Sequence, residues 1–376
     1  MMSRASIIQL TLFLLTICTT TIAGAEWVTG KALILGNMSW PDLFSGFHYS
    51  IPFLIILTCH EFGHYLTARY YNIKVTLPYY IPFWLLGFPS IGTAGAYIRI
   101  KEEIQSRKEY FDVGIAGPLA GFVIALGVLY YGFTHLPEHE HIFTIHPEYK
   151  QFGMNYADHV YEDENTISIT LGDNIIFYLF KKYLVDDPSR FPHPNEIIHY
   201  PYLMVGFLSL FWTALNLLPI GQLDGGHVVF GLLGERRSRI ASRILFVVFL
   251  FYAGLGVISP GMLKDGTSDS MLTFSVMLMA YLYYLYVCLY SMIESRRDRM
   301  MLAAIILTVQ FATGIIFPIE GYSGWMLFAL LLGRFLGVYH PPAADNRKLS
   351  KGRVILGIIS LIIFVMSFSP QPLIIE

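Results

Sequence analysis

The segment Leu57-Thr58-Cys59-His60-Glu61-Phe62-Gly63-His64-Tyr65 sets two histidines and an acid near the end of an apolar run, residues 47 to 71, that is long enough to cross a bilayer. Histidines four apart lie one above the other on a helix, so His60 and His64 can turn ring nitrogens toward one zinc ion while Glu61 reaches a water beside it. An acid in mid-membrane costs about 2.5 to 3.5 kcal/mol on insertion scales unless it is paired, metallated or faces a cavity. The chain must therefore bundle helices around this face, and the chemistry it points to is metal-assisted hydrolysis within the membrane.

Of the 376 residues, 55% are hydrophobic and 14% charged, with a mean hydropathy of +0.53. Soluble domains carry about 25% charged residues, so the composition is that of an integral membrane protein. A net charge of -2 and the lack of any basic run interleaved with aromatics exclude nucleic acid as a partner. Cys18, Cys59 and Cys288 fall in apolar stretches at spacings unlike a disulfide framework or a cysteine zinc site, and read as buried apolar fillers.

The fold class expected is an all-α polytopic membrane protein. Apolar runs near residues 5–24, 47–71, 113–134, 202–222, 240–259, 271–292, 300–317, 323–339 and 353–370 give nine candidate transmembrane helices. Arg4, the first apolar run and Ala23-Gly24-Ala25 also fit a cleaved signal peptide; a retained helix is expected, and both choices put residue 26 outside. With the N-terminus cytoplasmic, one side holds Lys74, Arg99, Lys101, Arg107 and Lys108, then Arg236, Arg237, Arg239 and Arg243, then Arg296, Arg297 and Arg299, then Arg347, Lys348, Lys351 and Arg353. The other holds Lys31, Lys264 and scattered bases between 135 and 200, which fits the positive-inside rule with the C-terminus outside.

Between residues 78 and 100 the apolar chain is broken by Pro82, Gly87, Pro89, Gly92 and Gly95, which favours a re-entrant hairpin or strand over a helix. Residues 91 to 100 can form an extended edge, tolerated at membrane depth where it lines a cavity. Four stretches follow: 1–134, with the HExxH helix and the re-entrant segment; 135–200, a polar extracytoplasmic loop; 201–235, a helix with a second motif; and 236–376, the C-terminal helices. The polar loop scatters His135, His139, His141, His146, His159, His193 and His199 at irregular spacings, which favours a solvated loop over a metal site. Within it, Ile175 to Leu184 reads as a short helix on the membrane surface. Gly117 and Gly121 read as close helix packing.

A catalytic zinc normally takes three protein ligands, so a third is needed beyond the two histidines. Asn216-Leu217-Leu218-Pro219-Ile220-Gly221-Gln222-Leu223-Asp224-Gly225-Gly226-His227 offers Asp224 after a helix interrupted at Pro219 and Gly221, on the same cytoplasmic side as HExxH by the charge pattern. Asn216 can hydrogen-bond a substrate or a developing oxyanion, or simply bond a neighbouring helix. His227 is expected in a supporting role rather than as a ligand.

These residues resemble the site-2 protease family of intramembrane zinc metalloproteases. HEFGH matches the first family motif, NLLPIGQLDGG matches NxxPxxxLDG, and the likeness extends to the Gly92–Ala96 segment and to Gly114–Gly121, covering residues 5 to 235. The resemblance implies zinc held by His60, His64 and Asp224, with Glu61 as general base, and cleavage of membrane-spanning protein substrates in or beside the lipid bilayer. The 135–200 loop is too small for a PDZ domain and the chain ends in a membrane span rather than a nucleotide-sensing domain, so it looks most like the domain-poor branch, expected in a prokaryotic cell membrane. The alternatives are a transporter or metal-binding membrane protein using the same residues without hydrolysis, and another zinc peptidase class whose third ligand is a glutamate.

Overall fold

The computed structural model describes residues 3–85, 90–161, 169–263, 268–317 and 319–375; Gly87, Pro89 and Lys264 lie outside them. In chain order the elements are α1 (Arg4–Thr29), α2 (Trp40–Ser45), α3 (Phe47–Tyr70), β1 (Tyr79–Phe83), β2 (Gly92–Tyr97), α4 (Arg107–Thr134), α5 (Ile142–Ile145), α6 (Ala157–Val160), β3 (Ile169–Leu171), α7 (Ile175–Leu184), α8 (Pro201–Leu217), α9 (Asp224–Leu233), α10 (Glu235–Gly254), α11 (Ser268–Cys288), α12 (Arg296–Ile316), α13 (Trp325–Leu330), α14 (Lys351–Ser367) and β4 (Leu373–Ile375).

Helix dominates, as the hydropathy demands, and each of the apolar runs overlaps a helix. Among the described residues, five helical stretches are long and apolar enough to cross a membrane: Arg4–Thr29, Trp40–Tyr70, Arg107–Thr134, Met271–Cys288 and Arg296–Ile316. The other expected crossings fall on helices that miss that measure for visible reasons. Helices α8 and α14 have 17 residues each, α10 opens on Arg236, Arg237 and Arg239, and α13 has 6 residues before a π-turn at Leu331–Leu336.

The chain divides into two compact units, the first comprising residues 1–104, 112–217 and 358–376, the second 105–111 and 218–357. In the first, Tyr49 and Phe53 of α3, Phe133 of α4, Phe177 of α7 and Leu203 and Phe207 of α8 form a core in which each is at most 4% exposed. Lipid tails are as apolar as these side chains, so close packing rather than exclusion from water holds the helices together there. The α7 helix has the limits expected for it, with Ile176 and Phe177 buried and Lys181 and Lys182 exposed in its last turn.

Strands β1 and β2 form an antiparallel pair, with Tyr79 opposite Tyr97, Tyr80 opposite Ala96, Pro82 opposite Thr93 and Phe83 opposite Gly92, and a bulge between Tyr80 and Pro82. Side chains on the neighbouring helices fix it. Thr19 donates to Gly92 O at 2.7 Å, Trp27 Nε1 to Ser90 O at 2.8 Å, and Thr58 and Tyr80 share a hydroxyl bond of 2.7 Å. Gly92 has φ +85° and lies against the backbone of Thr20, where a β-carbon would come within 2.4 Å of Cα. A second antiparallel pair joins β3 to β4.

The second unit packs α9 to α13 around Phe246, Leu250, Leu285 and Leu332, all fully buried. Gln310 is buried there with its polar atoms satisfied, accepting from Tyr281 Oη at 2.9 Å and donating to Phe251 O at 2.8 Å. Of the cysteines, Cys288 is buried, Cys59 half-buried and Cys18 exposed, so the expectation of a buried filler holds for Cys288 alone. Cys18 faces outward with Leu10, Leu14 and Leu15, on a helix surface apolar enough for lipid.

Candidate metal centre

In the first unit, His60, Glu61 and His64 lie on the buried side of α3, at 8%, 5% and 8% exposure. The Nε2 atoms of His60 and His64 are 3.1 Å apart. His64 Nδ1 lies 2.7 Å from Val113 O, and because a carbonyl only accepts, that nitrogen carries the proton and Nε2 keeps its lone pair. Two nitrogens each about 2.0–2.1 Å from one tetrahedral zinc lie about 3.3 Å apart, so this pair fits the ion.

The fit requires α4 to come unusually close. A β-carbon on Gly117 would stand 2.1 Å from His64 Nε2, one on Gly121 would stand 3.2 Å from His60 Cβ, and one on Gly63 would stand 2.5 Å from Ala116 O. The small residues expected to pack helix on helix thus pack on the imidazoles themselves.

Asn216, on the last turn of α8, places Nδ2 3.4 Å from His60 Nε2. The same helix face lines a small cavity beside His60 together with Gly95 of β2, Gly121, Ser209, Trp212 and Thr213. Ser209 is 2% exposed and its hydroxyl has no hydrogen-bond partner among the described residues. Sequence reasoning passed over Ser209 and Thr213, yet the signal was there. Ser209, Thr213 and Asn216 recur at i, i+4 and i+7, a polar stripe on an otherwise apolar helix. Gly95 reaches the cavity with φ +101°, and a β-carbon there would be 3.3 Å from the Trp212 ring.

In the second unit, Asp224 is the first residue of α9, half-buried, where the helix N-terminus favours a carboxylate. Helix α8 ends at Leu217, and the intervening turn contains Pro219 and Gly221, the latter with φ +61° and with a β-carbon excluded by Gly337 O at 2.1 Å. The interruption read from the sequence is thus present, and it lets the backbone turn before the acid. His227 donates from Nδ1 to His340 Nε2 at 2.7 Å, since His340 Nδ1 donates to Pro341 O at 2.5 Å. His340 is stacked on Phe230, with centroids 3.9 Å apart, and burial followed by its His227 neighbour pushes its pKa down to about 3.

Compared with known proteins, residues 48–258 match the family described as Peptidase family M50. The probable chloroplastic zinc metalloprotease EGY2 of Oryza sativa subsp. indica is 28% identical over 221 residues, covering 54% of this chain and 35% of that protein. The probable chloroplastic zinc metalloprotease EGY1 of Arabidopsis thaliana is 26% identical over 180 residues, 48% of this chain and 28% of its own. An uncharacterized protein of Methanocaldococcus jannaschii, MJ0971, is 26% identical over 237 residues, 54% and 62% respectively. The chain spans about a third of the length of the plant relatives it matches. No solved structure matches.

Proposed function

The chain belongs to peptidase family M50, the site-2 protease family, and on that footing we propose that it is an intramembrane zinc metalloendopeptidase that cuts membrane-spanning proteins. One observation carries the reading: two buried imidazoles on an apolar helix, 3.1 Å apart at Nε2, with a buried glutamate between them in sequence. Such a set is costly in a bilayer and is suited to one divalent ion.

Zinc is held by His60, His64 and Asp224 in this proposal, and when bound it acidifies a water and polarises the scissile carbonyl. Glu61 takes the proton of the attacking water and returns it to the departing amine. Val113 O fixes the tautomer of His64. Asn216 donates from Nδ2 to the substrate backbone or to the developing oxyanion. A transmembrane helix hides its peptide bonds, so the substrate must be extended where it is cut. Strand β2 has β1 on one side only among the described residues and shares the cavity beside His60, so its other edge receives the substrate as an added strand. The hairpin lies at membrane depth, nine helices cross, and the Arg- and Lys-rich connections face the cytoplasm of a prokaryotic cell membrane.

The test is Glu61→Gln in the full chain, reconstituted with a single-pass substrate. Zinc content equal to wild type and no cleavage are expected; cleavage at the wild-type rate ends the reading. Ion flux without proteolysis in the wild type would favour the transporter alternative.

A further inference from the structure

The polar insert of the first unit carries a second set of convergent donors. His146 ends the short helix α5, and Glu196 and His199 lie on the 3-10 turn Pro194–His199 that leads into α8. His146 Nε2 is 3.3 Å from His199 Nε2, and Glu196 Oε2 is 3.6 Å from the latter and 4.0 Å from the former. His199 offers no proton at the contact, and neither does His146 in its neutral form. His199 Nδ1 is 2.5 Å from Trp27 O and must donate to it, while His146 Nδ1 is 3.1 Å from Glu148 Oε1 and donates to that carboxylate. Two Nε2 lone pairs then face each other across 3.3 Å with a carboxylate beside them, an arrangement that repels unless positive charge lies between.

Burial sharpens the point. Glu196 is 1% exposed and His199 6%, and Tyr161 Oη donates to Glu196 Oε1, holding the carboxylate in place. His199 Nδ1 donates to Trp27 O, so its Nε2 is left with the lone pair that a ligand needs. Tyr149 stacks on His146 with ring centroids 4.5 Å apart, fixing the third partner. The separation of the two nitrogens is that of a pair on one tetrahedral zinc, about 3.3 Å.

We propose that His146, Glu196 and His199 form a second zinc site that pins the polar insert to the C-terminal end of α1 through Trp27. Its fourth position takes water, and each Nδ1 partner sets the tautomer of a ligand. The proposal does not rest on the protease reading, because none of its residues belongs to the HExxH site.

The experiment uses the full chain in detergent micelles, purified on a tag free of histidine, with the His60→Ala/His64→Ala background removing the first site. After incubation with one equivalent of Zn²⁺ and desalting, elemental analysis is expected to find one zinc per chain in that background. Addition of His146→Ala should leave essentially none, and His135→Ala, an exposed histidine of the same insert, should leave one. Glu148→Ala, on a largely exposed residue where folding is not at stake, should weaken Zn²⁺ affinity about tenfold in competition with a chelator. No zinc in the double-variant background, meaning that a shared proton sits between the rings, would overturn the proposal. So would a zinc content that His146→Ala leaves unchanged.

Discussion

Gly117 and His64 are so close that a β-carbon on the glycine would stand 2.1 Å from the Nε2 atom of the imidazole. No rotamer change on the glycine side can relieve that contact, because a β-carbon is fixed by the backbone. Gly117→Ala should therefore displace the ring, remove zinc from the HExxH site and abolish cleavage. Gly127→Ala on the same helix, where a β-carbon meets nothing within 4 Å, should keep both. It should also raise stability by up to about 1 kcal/mol, the helix preference for alanine over glycine. Zinc analysis, thermal unfolding and a cleavage assay on the two variants check this.

Gly95 joins the hairpin to the cavity beside His60. Proline at this position removes a backbone donor and cannot adopt φ +101°. Gly95→Pro is expected to lower cleavage at least tenfold while zinc at the HExxH site remains at the wild-type level. Unchanged cleavage would sink the strand-addition step and leave the metal chemistry standing.

Asp224→Asn keeps the size of the side chain and removes its charge. If Asp224 is the third ligand, chelator competition should show zinc held more than tenfold less tightly, with cleavage lost in parallel. Chelation of the wild type should stop cleavage and added zinc should restore it. Full zinc occupancy in Asp224→Ala would instead favour a glutamate as third ligand.

His340 predicts a pH dependence of the second unit. Its folded pKa of about 3, depressed by burial and by His227, lies below the unfolded value of 6.5. Between these limits the unfolded chain binds more protons, so the stability is fully present above pH 6.5 and declines as the pH falls toward 3. The slope approaches about 1.4 kcal/mol per pH unit well below 6.5. Tyr110 packs edge-on against the His340 ring at 4.6 Å and His227 faces its Nε2 atom; among the described residues these titratable groups meet it. Thermal unfolding between pH 7.5 and 5 should show a falling midpoint in the wild type and a shallower fall in His340→Gln.

Much of this was legible in the sequence because the bilayer leaves few choices. The apolar run at 47–71 became α3 at Phe47–Tyr70, and the breaks at Pro219 and Gly221 became the turn before α9. Among the described residues, the glycines and prolines of 78–100 gave an antiparallel strand pair, because no helix tolerates them at that density. What escaped depended on contacts between distant residues. His146 and His199 are 53 positions apart, and only the folding of the insert brings their nitrogens to 3.3 Å. The polar stripe of Ser209, Thr213 and Asn216 was periodic and readable, but the register that sets Gly95 beside it was not, since strand register has no local signature. The expected crossings at 240–259, 323–339 and 353–370 are less sharply defined because arginines or short helices blur the apolar length on which the reading depends.

Strand β3 at Ile169–Leu171 finds its partner in Leu373–Ile375, some two hundred positions later and beyond the whole of the second unit. The pairing can form only once residues 373–375 have been synthesised, so the first unit keeps one strand unzipped while the second is being made. A chain stalled short of residue 373 would leave Ile169–Leu171 as an open template for misassembly.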